Sequence, residues 1–301
     1  MKKQIENQLE NIITEGVIKY DEPMSAHTTF RIGGKADCYI EPSFQEVEPL
    51  FAFLKQEQIP YTLIGNGSNL LVSDEGIEGV TVSFGTSIAE VSCEGTTLKA
   101  QAGILLSRLA SFAAEHSLKG LEFASGIPGT LGGAITMNAG AYGGEMKDVV
   151  TYVTLLEDGE IKRCPASEMD FSYRHSKVLE SDIIVLAVEM DLQEGNQKEI
   201  LALSRELNQR RVDKQPLNYP SAGSTFKRPE GHFAGKLIED AGLKGYTVGG
   251  AQVSEKHSGF VINIGGATAK DVRDLISDVK RIVKEKFDVT LEPEVRMIGR
   301  F

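Results

Sequence analysis

Two glycine-rich loops set among strand-like runs constrain this chain more than any other feature. The first reads Ile64-Gly65-Asn66-Gly67-Ser68-Asn69-Leu70-Leu71-Val72. The second reads Ser125-Gly126-Ile127-Pro128-Gly129-Thr130-Leu131-Gly132-Gly133-Ala134 and continues into Met137-Asn138-Ala139-Gly140-Ala141-Tyr142-Gly143. Glycine supplies 31 of the 301 residues, above the usual ~7%. Because the glycines come in bunches with regular structure between them, collagen-like and low-complexity readings fail.

Successive N–H groups of small residues in the first loop form a nest for phosphate, to which Ser68 and Asn69 can add side-chain hydrogen bonds. The loop lacks the dinucleotide-binding fingerprint, since Leu70 stands at the third glycine and a strand follows instead of a helix. It is no P-loop either, because no glycine precedes Lys-Ser or Lys-Thr. Alone, it reads as a tight strand connection. In the second loop Pro128 suits an early helical position. Gly129, Gly132 and Gly133 leave one helix face bare, and a helix amino terminus offers N–H donors to a pyrophosphate. Close helix–sheet packing is the competing explanation, but two such loops in one segment favour a dinucleotide-sized ligand.

Periodicity predicts helices over 3–15, from Ser43 (boxed with Glu46) to Pro60, over 105–116, 196–211 and 233–241, and from Thr268 (boxed with Asp271) through Val283. Strand-like runs occupy 36–40, 61–64, 80–83, 88–93, 97–101, 149–157, 161–164, 183–192, 259–264 and 289–295, with Glu94-Gly95 and Asp158-Gly159 as turns. Residues 214–227 read as a loop. The sum is an α+β protein of two or three units, divided 1–60, 61–195 and 196–301.

Thirty-two Lys and Arg against 43 Asp and Glu give a net charge of −11, which argues against nucleic-acid or anionic-membrane binding. No apolar run reaches the ~20 residues of a membrane helix, and the amino terminus lacks a signal-peptide core, so a cytoplasmic protein is expected. Cys38, Cys93 and Cys164 form no metal-spaced or redox pair and read as buried thiols. The five histidines show no metal spacing, and His116 reads as a helix-end residue. Gly85-Thr86-Ser87-Ile88-Ala89 misses the nucleophile elbow at its last position. From Arg205 to Lys256 nine basic residues face six acidic ones; such a segment suits an anionic small molecule or is a solvated face. Taken singly, Arg174, Ser224 and Glu294 read as a surface arginine, a turn hydroxyl and a terminal carboxylate.

Thr28–Gly34, Gly65–Leu71, Gly126–Tyr142, Tyr173-Arg174, Ala222-Gly223-Ser224 with Phe226-Lys227, and Leu291–Arg296 together resemble the UDP-N-acetylenolpyruvoylglucosamine reductase (MurB) family of peptidoglycan precursor synthesis. The chain is short between Tyr173 and Arg210, so it resembles the type II form without the tyrosine-bearing lid. The resemblance implies an FAD-binding domain of the vanillyl-alcohol oxidase/PCMH type, formed by 1–60 and 61–195. A C-terminal α+β substrate-binding domain would occupy 196–301, its last strand returning to the FAD region.

The implied cofactors are non-covalent FAD, held by Gly65, Asn66, Gly67, Ser68, Asn69, Gly126, Ile127, Pro128, Gly129, Gly132 and Gly133, and NADPH as hydride donor. The implied substrate is UDP-N-acetylglucosamine-enolpyruvate, and flavin N5 delivers hydride to its methylene carbon, giving UDP-N-acetylmuramate. Arg174 and Glu294 would stabilise the enolate-like intermediate, and Ser224 would donate the proton. Tyr142, Lys214, Lys227, Gln252 and Arg296 would hold substrate. A monomer without metal is expected. The competing expectations are another FAD-dependent oxidase or dehydrogenase of the same superfamily, and a non-catalytic nucleotide-binding module.

Overall fold

Helices and strands alternate irregularly along the computed structural model, which describes residues 3–179 and 181–301. The chain divides into two compact units. One comprises Met1–Ile18, Ile40–Asn66 and Val82–Arg211, the other Lys19–Tyr39, Gly67–Thr81 and Val212–Phe301. A four-stranded sheet orders Val17–Pro23, Lys35–Glu41, Ile77–Ser83 and Tyr61–Ile64.

The first unit is built on an antiparallel sheet in the order Glu160–Pro165, Val150–Glu157, Ile184–Asp191, Thr97–Gln101 and Val91–Glu94. Its hairpins follow turn chemistry. Asp158 and Gly159 both take positive φ (54° and 81°) between the paired Glu157 and Glu160, as a type I′ turn requires. The other predicted turn is displaced by one residue: Glu94 pairs with Thr97, leaving Gly95-Thr96 as the loop with Gly95 at φ 59°. The unit's helices are α1 (Lys3–Ile12), α2 (Val47–Gln56), α3 (Leu106–Glu115), α4 (Leu131–Thr136) and, apart from its last residues, α5 (Gln197–Lys214). α3 buries Leu106, Leu109, Ala110, Ala113 and Ala114, and His116 caps its end with Nδ1 2.8 Å from the Phe112 carbonyl.

In the second unit an antiparallel sheet runs Ser221–Ser224, Phe260–Asn263, Ala251–Val253, Thr247–Val248. α6 (Ala234–Asp240) and α7 (Ala269–Phe287) share a core with it. Val272, Leu275, Ile276, Val279 and Val283 form the buried stripe of α7. Thr268 and Asp271 close its capping box with two 3.0 Å bonds, and Asp74 accepts from the Ala269 and Lys270 N–H groups at 2.8 and 3.0 Å. Carboxylates there meet both the orphan donors and the positive end of the helix dipole.

Several boundaries differ from expectation for local reasons. α5 continues to Lys214, and the expected loop 214–227 contains the strand Ser221–Ser224. Residues 289–295 form no strand; Pro293, which has no N–H for a ladder, makes one isolated bridge with Phe226. The terminal strand is Arg296–Ile298, parallel to Leu70–Val72. Residues 88–93 split into a 3-10 turn, Thr86–Ile88, and the strand Val91–Glu94. Cys38 and Cys164 are buried and Cys93 is half-buried. Among the described residues no helix is long and apolar enough to cross a membrane.

Helix α1 ends three residues before the predicted limit because Glu46 captures the segment after it. Only 6% exposed, the Glu46 carboxylate accepts from the Thr14, Glu15 and Gly16 N–H groups (2.6, 2.7 and 3.1 Å) and from Ser43 N–H at 2.8 Å. Burial pushes its pKa up, but the N–H donors outweigh that and hold it at about 2, below an ordinary 4.5. A lowered folded-state pKa stabilises the fold above the unfolded value, and the contribution is lost as pH falls from about 4.5 toward 2. Glu46→Gln should therefore cost about 2 kcal/mol at neutral pH. Denaturant unfolding as a function of pH should show the gap between variant and parent closing below pH 4.5.

Candidate active site

Gly65 and Asn66, the part of the first glycine loop that lies in the first unit, meet the second loop there. Asn66 Nδ2 donates to the Pro128 carbonyl at 2.6 Å. A Cβ on Gly65 would fall 2.3 Å from Thr130 Oγ1, so only glycine allows this approach. Gly67 takes φ 61°, and a side chain there would run into the His27 carbonyl at 2.1 Å. Among the described residues, the N–H groups of Gly65, Asn66, Gly67 and Ser68 donate to no protein acceptor. A run of such donors on a small-residue loop fits a diphosphate.

The second loop works differently from the expectation. Pro128 precedes the helix instead of opening it: Thr130 is the N-cap and α4 begins at Leu131. The first α4 donors are already engaged, Leu131 N–H by the Ile104 carbonyl and Gly132 N–H by the Ala102 carbonyl, both at 2.8 Å. Gly133 N–H faces Thr130 Oγ1 at 3.5 Å. The Leu131 and Gly132 donors of this helix start are therefore consumed in anchoring the loop. Gly132 is needed for contact with Ala102, whereas a Cβ on Gly133 would meet only Thr130 Oγ1, at 3.5 Å. Gly126 serves close packing, since a Cβ there would lie 2.3 Å from Asn208 Oδ1, and Arg211 donates to its carbonyl.

Arg174 occupies the tip of a two-residue turn closed by Ser172 and His175, which exchange backbone hydrogen bonds at 3.1 and 3.2 Å. It takes φ 56°, and its guanidinium stands 5.1 Å from the Tyr173 ring centroid. Tyr142 and Gly143 form the type I′ tip of the Gly140–Ala141/Gly144–Glu145 hairpin, with φ 55° and 90°. That conformation leaves the Tyr142 ring 45% exposed. Glu145, on the same hairpin, is held below the usual carboxylate range chiefly by its 2.9 Å bond to Lys147, with the Asn138 amide and the Arg174 charge adding to the effect.

Ser224 and Glu294 lie on neighbouring segments of the second unit. Gly223 adopts φ 76° where the register against Phe260–Asn263 slips, and this bulge precedes an exposed Ser224. Buried Thr225 then donates to the Gly259 carbonyl at 2.9 Å and accepts from Glu294 N–H at 2.8 Å. Asn69 Nδ2 donates to the Glu294 carbonyl at 3.1 Å, and the Asn69 carbonyl accepts from Arg296 N–H at 3.0 Å. Lys227 pairs with Glu292 at 3.3 Å. Gln252 is half-buried and bonds Thr247 Oγ1 at 3.1 Å, while Lys214 and Arg296 are exposed. Sequence reasoning missed Asn138, Glu145, Thr130 and Ser176; only Asn138, in a glycine-rich run where a left-handed residue is at home, carried any signal.

Residues 36–165 match the FAD binding domain family, and residues 215–298 match the family described as UDP-N-acetylenolpyruvoylglucosamine reductase, C-terminal domain. The chain is 56% identical over 295 residues to the UDP-N-acetylenolpyruvoylglucosamine reductase of Caldanaerobacter subterraneus subsp. tengcongensis, with 97% of each chain covered. It is 52% identical over 291 residues to that of Clostridioides difficile, with 96% of each covered. The solved UDP-N-acetylenolpyruvylglucosamine reductase of Thermus caldophilus superposes with a TM-score of 0.80 at 35% identity, covering 94% of this chain and 98% of that one. An alkyldihydroxyacetonephosphate synthase gives a TM-score of 0.51 at 16% identity over 64% of this chain and 41% of its own, a likeness of fold alone.

The close approach at Gly65 yields a direct test. Gly65→Ala should weaken FAD binding about tenfold or more, because overpacking of ~1–3 kcal/mol must separate the loops. Gly159→Asn, at the tip of a hairpin that tolerates Asn, should retain the parent's flavin-to-protein absorbance ratio. Equal flavin content in all three proteins would refute the assignment of the 65–69 loop.

Proposed function

The chain belongs to the UDP-N-acetylenolpyruvoylglucosamine reductase family, and from that premise we propose how its own residues divide the work. It is an FAD-dependent oxidoreductase of α+β fold that reduces UDP-N-acetylenolpyruvoylglucosamine in peptidoglycan precursor synthesis. Bound FAD supplies hydride transfer, with NADPH as donor and the enolpyruvyl ether as acceptor.

In this reading the diphosphate of FAD takes the N–H groups of the 65–69 loop. Adding hydride next to a carboxylate drives charge into an enolate-like form, which fixed positive groups must meet without rearranging. Arg174 suits that task because a guanidinium stays charged and grips a carboxylate in fork geometry. Its position at the tip of a closed turn removes much of the ordering cost. Ser224 donates the proton to the carbon beside the carboxylate, and Glu294 shares in stabilising the intermediate. The observation that carries this pairing is the 2.8 Å bond from Glu294 N–H to the Thr225 carbonyl, which sets the serine and the glutamate on adjoining segments.

Tyr142, Lys214, Lys227, Gln252 and Arg296 are assigned to the sugar nucleotide, whose negative charge suits the three basic side chains. Functionally, 1–60 and 61–195 serve the cofactor and 196–301 the substrate. The protein works as a cytoplasmic monomer.

Anaerobic half-reactions separate chemistry from binding. Ser224→Ala should leave flavin bleaching by NADPH near the parent rate, while recovery of the flavin bands on adding the enolpyruvyl sugar nucleotide slows by more than ~10²–10⁴-fold. Equal loss in both half-reactions would reduce Ser224 to a structural role. Bands that return only with oxygen would point to an oxidase instead.

A further inference from the structure

The turn that carries Arg174 is held from both sides by the end of α4. Asn138, 1% exposed, donates from Nδ2 to the Ser172 carbonyl at 3.0 Å and to Glu145 Oε2 at 2.9 Å, and its Oδ1 accepts from Lys147 N–H at 3.0 Å. On the other flank fully buried Ser176 donates from Oγ to the Thr136 carbonyl at 2.9 Å. Thr136 is the last residue of α4, and Asn138 follows its cap, so both clamps grow from the helix that begins at the second glycine loop.

Backbone conformation shows how firmly this cluster is specified. Asn138, Tyr142 and Arg174 all adopt positive φ, at 40°, 55° and 56°. Such conformations persist in non-glycine residues only where the surroundings over-determine them, and they gather at functional sites. Asparagine is one of the few side chains that tolerate the left-handed region. Here its amide also supplies two donors and one acceptor, to the 172–175 turn and to the 145–147 segment.

We propose that Asn138 is the positioning residue for Arg174: it fixes the 172–175 turn and the Glu145 carboxylate in one arrangement, and so sets where the guanidinium points before substrate arrives. Ser176 is its partner on the opposite flank. This assignment rests on the reading of Arg174 given above and adds the group through which that arginine is aimed. Neither Asn138 nor Ser176 touches the reacting atoms.

Asn138→Asp is the sharpest probe, because it keeps volume, left-handed tolerance and the acceptor for Lys147 N–H while removing both donors. In the flavin-loaded enzyme, reoxidation by the enolpyruvyl sugar nucleotide should slow by about 10²-fold, the usual consequence of a small misplacement of a catalytic group. Flavin content and bleaching by NADPH should stay near parent values. Combined with Arg174→Lys, the double variant should be little slower than Arg174→Lys alone, since one acts through the other. Strictly additive losses, or equal slowing of both half-reactions, would overturn the proposal. Should Asn138→Asp fail to fold, Ser176→Ala is expected to show the same half-reaction split and the same non-additivity, and additivity there would overturn it equally. If Arg174→Lys alone left reoxidation untouched, the reading of Arg174 would fall first, a result distinct from failure of Asn138.

Discussion

The anchoring of a six-residue helix underlies most of what the first unit presents. α4 is too short to be stable through its own hydrogen bonds, and its amino-terminal donors are taken by the carbonyls of Ile104 and Ala102. Glycine at 132 lets the helix approach Ala102 closely enough for that bonding. Once the start is pinned, the preceding loop has a defined course, so Asn66 can reach the Pro128 carbonyl and Gly65 can sit against Thr130. Once the end is pinned, Thr136 and Asn138 hold the turn bearing Arg174. Orphan backbone donors at the helix start, and at its end a carbonyl together with the Asn138 amide, here tie down two neighbouring segments.

Carboxylates do related work elsewhere, from the interior at Glu46 and from nearer the surface at Asp74 and Asp271. Glu46 collects four N–H groups after α1 and before α2, and Asp74 joins Asp271 at the start of α7. In each case a negative group meets several donors, and around buried Glu46 those donors would otherwise be desolvated unpaired, a larger penalty than a single hydrogen bond contributes. Asp271 also accepts from Gly250 N–H at 3.2 Å, so the cap of α7 is tied to the loop before the Ala251–Val253 strand. The result is a unit in which helix and sheet cannot shift independently.

Local chemistry made much of this legible. The capping boxes at Ser43/Glu46 and Thr268/Asp271, the apolar stripe of α7 and the Asp158-Gly159 turn depend on residues within a few positions of one another, and each formed as read. The strand expected at 289–295 failed because Pro293 cannot join a ladder and because the parallel partner, Leu70–Val72, lies more than 220 residues earlier. No window of sequence contains that pairing. The helix start at the second glycine loop was misread for the same reason, since the carbonyls that occupy its donors come from Ala102 and Ile104.

Sequence by itself therefore determined the α+β class, the family, the two glycine loops, and Arg174, Ser224 and Glu294 as the residues to examine. The class and the glycine loops rest on side-chain type and short spacings, which the chain carries wherever it folds, whereas the family and the three residues come from the resemblance carried by the whole ordered set of motifs. Tertiary structure alone decided which glycines pack against a neighbour and which, among the described residues, leave their N–H groups without a protein acceptor. It alone brought the Ser224 and Glu294 segments together and tied Asn138 to the 172–175 turn. Each of these depends on hydrogen bonds between segments far apart in the chain, and only the folded backbone sets such distances.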